Sequence, residues 1–194
     1  MSRKLTGGQV RALWSKMASR YGSGIIRKED SQGMVAIGQA LDLIGIMDQE
    51  TFLRDYTTTV GKDVFVNFRI GEEDEGKRGL ISQVTTCAHE FQHVHQYDRG
   101  GMGFQLAYLA SRPSRAVYEL EAMQVGQEVY YWLTGSIPDP RKSAEKLAAY
   151  GLNAGDVDFV EEGLESSAKA LSTGARWRIV ASQVIGILEK LGVK

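Results

Sequence analysis

Two of the three histidines in this 194-residue chain stand four apart, in His89-Glu90-Phe91-Gln92-His93. On an α-helix that spacing puts both imidazoles on one face, one turn apart, where two neutral ring nitrogens can bind a single Zn²⁺. Glu90, one position on, is rotated off the metal but stays within reach of a water bound to it. A zinc hydrolase keeps its general base there. The plain alternative is a helix with two satisfied histidines and a surface glutamate, and the neighbouring residues weigh against it.

Zinc needs at least one further protein ligand. A histidine six residues past the second is a common solution, but that position is Arg99, and no histidine exists beyond His95. The other common solution is a glutamate on a following helix. The segment Arg115-Ala116-Val117-Tyr118-Glu119-Leu120-Glu121-Ala122-Met123 offers two. Residues two apart on a helix point to nearly opposite sides, so only one can face the metal. Glu119 shares its face with Ala116, Ala122, Met123 and Gly126, a small apolar stripe that lets its helix pack closely on the motif helix. Glu121 goes with Gln124, Val125 and Glu128, a face that reads as solvated, so its removal is expected to leave metal content nearly intact. The expected centre is His89, His93 and Glu119 around Zn²⁺, with Glu90 as the catalytic base.

On these residues the chain resembles the gluzincins, zinc peptidases with HExxH and a glutamate on a later helix. His89-Glu90-Phe91-Gln92-His93-Val94-His95-Gln96 and Glu119-Leu120-Glu121-Ala122-Met123 look most like two small families. One is the repressor-cleaving metallopeptidases of mobile elements; the other is the zincin-like core domain of contractile injection systems. The resemblance covers about the central third of the chain. It implies a zinc metallopeptidase that hydrolyses a protein or peptide substrate through water activated by Glu90. It also implies a peptide laid along the edge of a small sheet, with the strand Val64-Phe65-Val66-Asn67-Phe68 as candidate; an ordinary core hairpin fits that strand equally well. One position departs from both families. Met123 stands where they carry Asp or Asn to support a ligand, a role that Asp98 or a backbone carbonyl is expected to take over. For the oxyanion the candidates are Tyr97, Tyr108, Arg115, Tyr118 and Tyr130. The rival reading is a catalytically weak or inactive zincin-like binding or structural module, and a wholly helical interaction protein with a chance motif ranks third.

Hydrophobic periodicity supplies the elements that position these groups. A helix capped by Thr6 is expected to about residue 20, with Val10, Leu13, Trp14 and Met17 inward. A second is expected over 30–47, a short one over 49–54, and a hairpin from 56–60 and 64–70 across Gly61-Lys62-Asp63. The charged segment 71–79 reads as a connector or a lid. Helices then follow over 80–97, 104–110 and 113–133, and beyond Pro140 over 141–149, 156–171 and 175–191. The fold class is α+β and mainly helical: zincin-like active-site helices, a small β-hairpin or sheet, and extra C-terminal helices. Residues 1–140 form the zincin-like metallopeptidase domain and 141–194 a C-terminal helical extension packed on it. With 23 basic and 24 acidic side chains the chain is not built for nucleic acid binding by bulk charge. No apolar run approaches membrane-spanning length, and the first residues lack the apolar core of a signal peptide. The single cysteine, Cys87, reads as a buried helix residue and fits a reducing, cytoplasmic setting. His95 is rotated off the ligand face. Nothing in the sequence fixes the oligomeric state.

Overall fold

The computed structural model describes residues 2–43, 50, 53–54, 56–73, 79–176 and 178–194. The helical expectation at 44–47, most of 49–54, and the middle of the connector at 74–78 lie outside the described residues. The described residues form an α+β fold dominated by helices, with one small three-stranded mixed sheet.

Helix α1, Gly7–Tyr21, starts on a capping box: Gln9 N–H donates to the Thr6 hydroxyl and Thr6 N–H donates to the Gln9 side chain. Its inward stripe is the expected one, with Val10, Leu13, Trp14 and Met17 buried. Strand β1, Ile25–Arg27, follows, then helix α2, Gln32–Leu43. The hairpin of β2, Thr58–Val60, and β3, Asp63–Val66, pairs antiparallel as its turn predicts, and its strands are shorter than expected.

The sheet order is β1-β3-β2, with β1 parallel to β3 and Ile25 opposite Val64. The candidate peptide-binding strand is therefore corrected. β3 is central, its backbone groups are taken on both sides, and it has no edge to offer a peptide. Val64, Val66 and Phe68 point into the core, packed near Trp14. Among the described residues β2 is the edge strand that meets the motif helix, with its Thr59 hydroxyl bonded to Glu90.

Helix α3, Leu80–Ala110, carries the motif and bends at Gly101, whose φ of 54° and ψ of −141° are open only to glycine. The bend separates a straight motif helix from the short arm that carries Tyr108. A single residue, Ser111, then caps α4, Arg112–Thr134, by accepting from Ser114 N–H. So short a link forces α4 back along α3 in the opposite sense: Gln96 meets Tyr118, and Gly126 backs onto the carbonyl of Thr85.

Beyond α4 come α5, Pro140–Glu145, a 3₁₀ turn at Lys146–Tyr150, α6, Ala154–Ser172, and α7, Ile179–Lys190. α7 buries Val180, Ala181, Val184 and Leu188 in the same core as α1, β3, α3 and α4. Ile179, the first residue of α7, is exposed. A second apolar cluster joins Ala116 of α4 to Leu147, Leu152, Val157, Val160 and Leu164. There α6 runs so close to α4 that a Cβ on Gly163 would meet the Leu120 side chain at 2.4 Å. No helix among the described residues is long and apolar enough to cross a membrane.

Candidate metal centre

The motif histidines sit mid-helix on the face of α3 that meets α4. Their Nε2 atoms point at one another, 3.1 Å apart. Glu119 enters from α4, its Oε2 3.4 Å from His89 Nε2 and its Oε1 3.5 Å from His93 Nε2. The Glu119 carboxylate thus spans the two imidazoles, one oxygen to each, and with one ligand atom taken from each residue the three lie within 4.8 Å of one another. Among the described residues, His89, His93 and Glu119 are the group able to hold a metal ion. The Glu119 carboxylate is buried, as is His93, while His89 is partly open to the cleft.

Such burial would leave the carboxylate uncharged were it alone, because a low dielectric penalises the ion. Burial does push Glu119 up, but His93 and His89 overcome it and hold the acid well below its ordinary range. His93 shows the converse. Burial lowers it, yet the charge and hydrogen bond of Glu119, helped by Glu90 and Gln96, raise it from 6.5 to about 9. Without metal, the centre is therefore a buried imidazolium–carboxylate pair.

Tyr108, on the arm beyond Gly101, donates its hydroxyl hydrogen bond to Glu119 Oε1. Its ring stands edge-on to His93 with centroids 5.9 Å apart. Burial, and the nearby Glu119 charge, keep this phenol well above its ordinary value, so it remains a donor. Arg115 fastens the arm through the carbonyls of Tyr108 at 3.0 Å, Leu109 at 2.9 Å and Tyr150 at 2.7 Å. A cation closing the end of a helix satisfies carbonyls that would otherwise be orphaned.

Glu90 is buried beside the pair of histidines, and the Thr59 hydroxyl of β2 donates to its Oε2 at 2.7 Å. Glu90 and the outer edge of the centre open into a cleft of 440 Å³. Met123 and Gly126 of α4, Tyr56 and Thr57 ahead of β2, and Leu147 and Tyr150 of the 3₁₀ turn form its walls.

The predicted residues His89, Glu90, His93 and Glu119 are thus brought together. Several supporting expectations need correction. Glu121 lies outside the His89–His93–Glu119 group, and its face is not solvated: its Oε2 accepts from Gln96 Nε2 at 2.9 Å and from Gln92 at 3.4 Å. Val125 and Glu128 on the same face are buried. Asp98 supports no ligand, because it pairs with Lys62 at 2.6 Å. Of the five oxyanion candidates only Tyr108 reaches the centre. Tyr97 lies against Met102, Tyr118 stacks edge-on to Phe104, Arg115 holds backbone carbonyls, and the Tyr130 carbonyl accepts from the Thr134 hydroxyl. His95 is turned away, against Tyr21, and Cys87 is buried with its thiol pushed well up, chiefly by that burial. Sequence reasoning missed Thr59 and Tyr150. No helical period points from a strand or a distant turn to the motif, so neither left a signal.

Comparison of the chain with protein families, with curated proteins and with solved structures gives no match.

Proposed function

We propose that this protein is a zinc-dependent hydrolase of peptide bonds, with His89, His93 and Glu119 as metal ligands and Glu90 as general base. The observation that carries the reading is the convergence of two imidazoles and a carboxylate from two helices, their ligand atoms within 4.8 Å of one another, beside the second, buried carboxylate of Glu90 in the same cleft. Two imidazoles and a carboxylate also suit non-haem iron. Glu90 favours zinc hydrolysis over that chemistry, since an oxygenase has no need of a base at this position. A zinc ion held there supplies a Lewis acid and makes water acidic enough to ionise near neutrality.

The chain's own residues do the rest. Thr59 holds one oxygen of Glu90, leaving the other to take a proton from the attacking water and return it to the leaving amine. Tyr108 holds one oxygen of Glu119 and steadies the ligand. β2 is an edge strand of the sheet beside the motif helix, and Tyr56 and Thr57, just ahead of it, line the cleft in which an extended protein or peptide substrate would lie.

The test is Glu90→Gln. Zinc content is expected to stay, because the residue is not a ligand, while hydrolysis of a broad peptide library at neutral pH falls by at least about 100-fold. Undiminished hydrolysis in the variant rules the mechanism out. One observation favours the rival reading of a zincin-like binding module without useful turnover: the one tyrosine at the centre already donates its hydroxyl to Glu119. A wild-type protein inert on every peptide, with zinc present, supports that rival.

A further inference from the structure

We infer that Gln96 and Glu121 are a positioning pair that sets the proton and the ring of His93 for metal binding. The inference rests on the proposed metal centre. Gln96 stands three residues after His93, on the same face of α3, and its Oε1 lies 2.8 Å from His93 Nδ1. An amide oxygen only accepts. When His93 is neutral its proton must therefore sit on Nδ1, and the lone pair is left on Nε2, the atom that faces His89 and Glu119.

What keeps the amide that way round is its other end. Gln96 Nε2 donates to Glu121 Oε2 at 2.9 Å and to the Tyr118 carbonyl at 3.0 Å. Turning the amide over would set its oxygen against two acceptors and its NH₂ against the Nδ1–H. Both donated bonds would be lost in a buried place, where an unmet polar group is costly. Gln92 adds a weaker donor to the same carboxylate oxygen. The order Glu121, Gln96, His93 thus runs from a charge on α4, through an amide, to a metal-binding ring on α3. Ring nitrogens opposite a metal are commonly anchored by a carboxylate or carbonyl, and the loss of such an anchor weakens metal binding. Here an interposed glutamine carries the carboxylate's influence across the helix interface.

A pair that merely glued α3 to α4 would affect stability and leave metal affinity alone. The test is therefore the zinc dissociation constant of the full chain, measured at pH 8 by competition with a chromogenic chelator, with thermal melts to confirm folding. Gln96→Met, similar in length but without an acceptor, is expected to bind zinc about 10–100-fold more weakly at unchanged stoichiometry. Glu121→Gln should weaken it by about 10-fold. The double exchange Gln96→Glu with Glu121→Gln reverses the donor and acceptor between the two side chains, yet keeps an oxygen on Nδ1–H. Because it gives up the bond to the Tyr118 carbonyl, it is expected to recover part of the lost affinity and to bind zinc more tightly than Glu121→Gln alone. If Gln96→Met does not fold well enough to load, Glu121→Gln and the double exchange decide the question by themselves. Unchanged affinity in the single variants that fold, or a double exchange no better than Glu121→Gln alone, overturns the inference while the metal centre stands. A wild-type chain that holds no zinc overturns the metal centre, and this inference with it.

Discussion

His93 is buried and yet raised from 6.5 to about 9, because Glu119 lies against it. At neutral pH the metal-free centre therefore holds a proton where a ligand's lone pair must be. Metal binding has to expel it, so zinc affinity should rise about tenfold per pH unit between pH 6.5 and 9 and then level off. Stability without metal runs the other way. A raised pKa stabilises the fold fully below the unfolded value of 6.5, and that contribution is lost as the pH rises through about 9. Melts of chelator-treated protein should accordingly show a lower Tm at pH 9 than at pH 6, while the rise in Tm on adding zinc grows. Zinc affinity that is flat from pH 6.5 to 9 would contradict this account of the centre. The His89, His93 and Glu119 group was legible in the sequence: the helical period puts the two histidines on one face and sets Glu119 and Glu121 on different ones, and the small apolar neighbours of Glu119 chose between them. Their supporters were not. Which side chain meets Gln96 across the interface depends on how far α4 slides along α3, and no local pattern encodes that offset.

The bend at Gly101 decides where Tyr108 goes. A side chain at φ 54° and ψ −141° is strained whatever the surrounding space, and that strain is of order 1–3 kcal/mol. Gly101→Ala is therefore expected to cost about 1–3 kcal/mol in denaturant unfolding and to weaken zinc binding, since the Tyr108 arm can no longer sit on Glu119 without deforming. A fully stable variant with unchanged zinc affinity would show that the bend is incidental. Most elements were readable: Thr6 as a cap, the turn at Gly61, and Pro113 in the first turn of α4; the expected stop before Gly100-Gly101 is instead a bend, and α3 runs on to Ala110. β1 was not. It is three residues long, and its partner β3 lies 39 positions on, at Ile25 opposite Val64, so its pairing is a non-local event with no period to announce it. It is β1 that makes β3 central and decides for the core hairpin over a peptide-binding edge.

At the scale of the molecule, one core gathers α1, β3, both site helices and α7. Leu188 of α7 is fully buried there, so Leu188→Ala should destabilise the whole protein by about 2–5 kcal/mol. For a chain of this length that lowers Tm by on the order of 10 °C, in a single transition shared with the site helices. A change below about 1 kcal/mol, or a separate early transition, would mean that α7 is a detachable appendage. The apolar stripes of the C-terminal helices were plain in the sequence. Their destinations were not: α7 returns to the main core, whereas α6 and the turn at Lys146–Tyr150 build a second cluster against α4 and lend Leu147 and Tyr150 to the cleft. Amphipathic faces of similar strength say that a helix is covered and leave open what covers it.

The most direct test of the centre is elemental analysis of the purified full chain beside His93→Ala and Glu119→Ala. The account predicts about one zinc per chain in the wild type and almost none in either variant, because each removes one of three protein ligands. Zinc retained in His93→Ala, or iron in its place in the wild type, would contradict it.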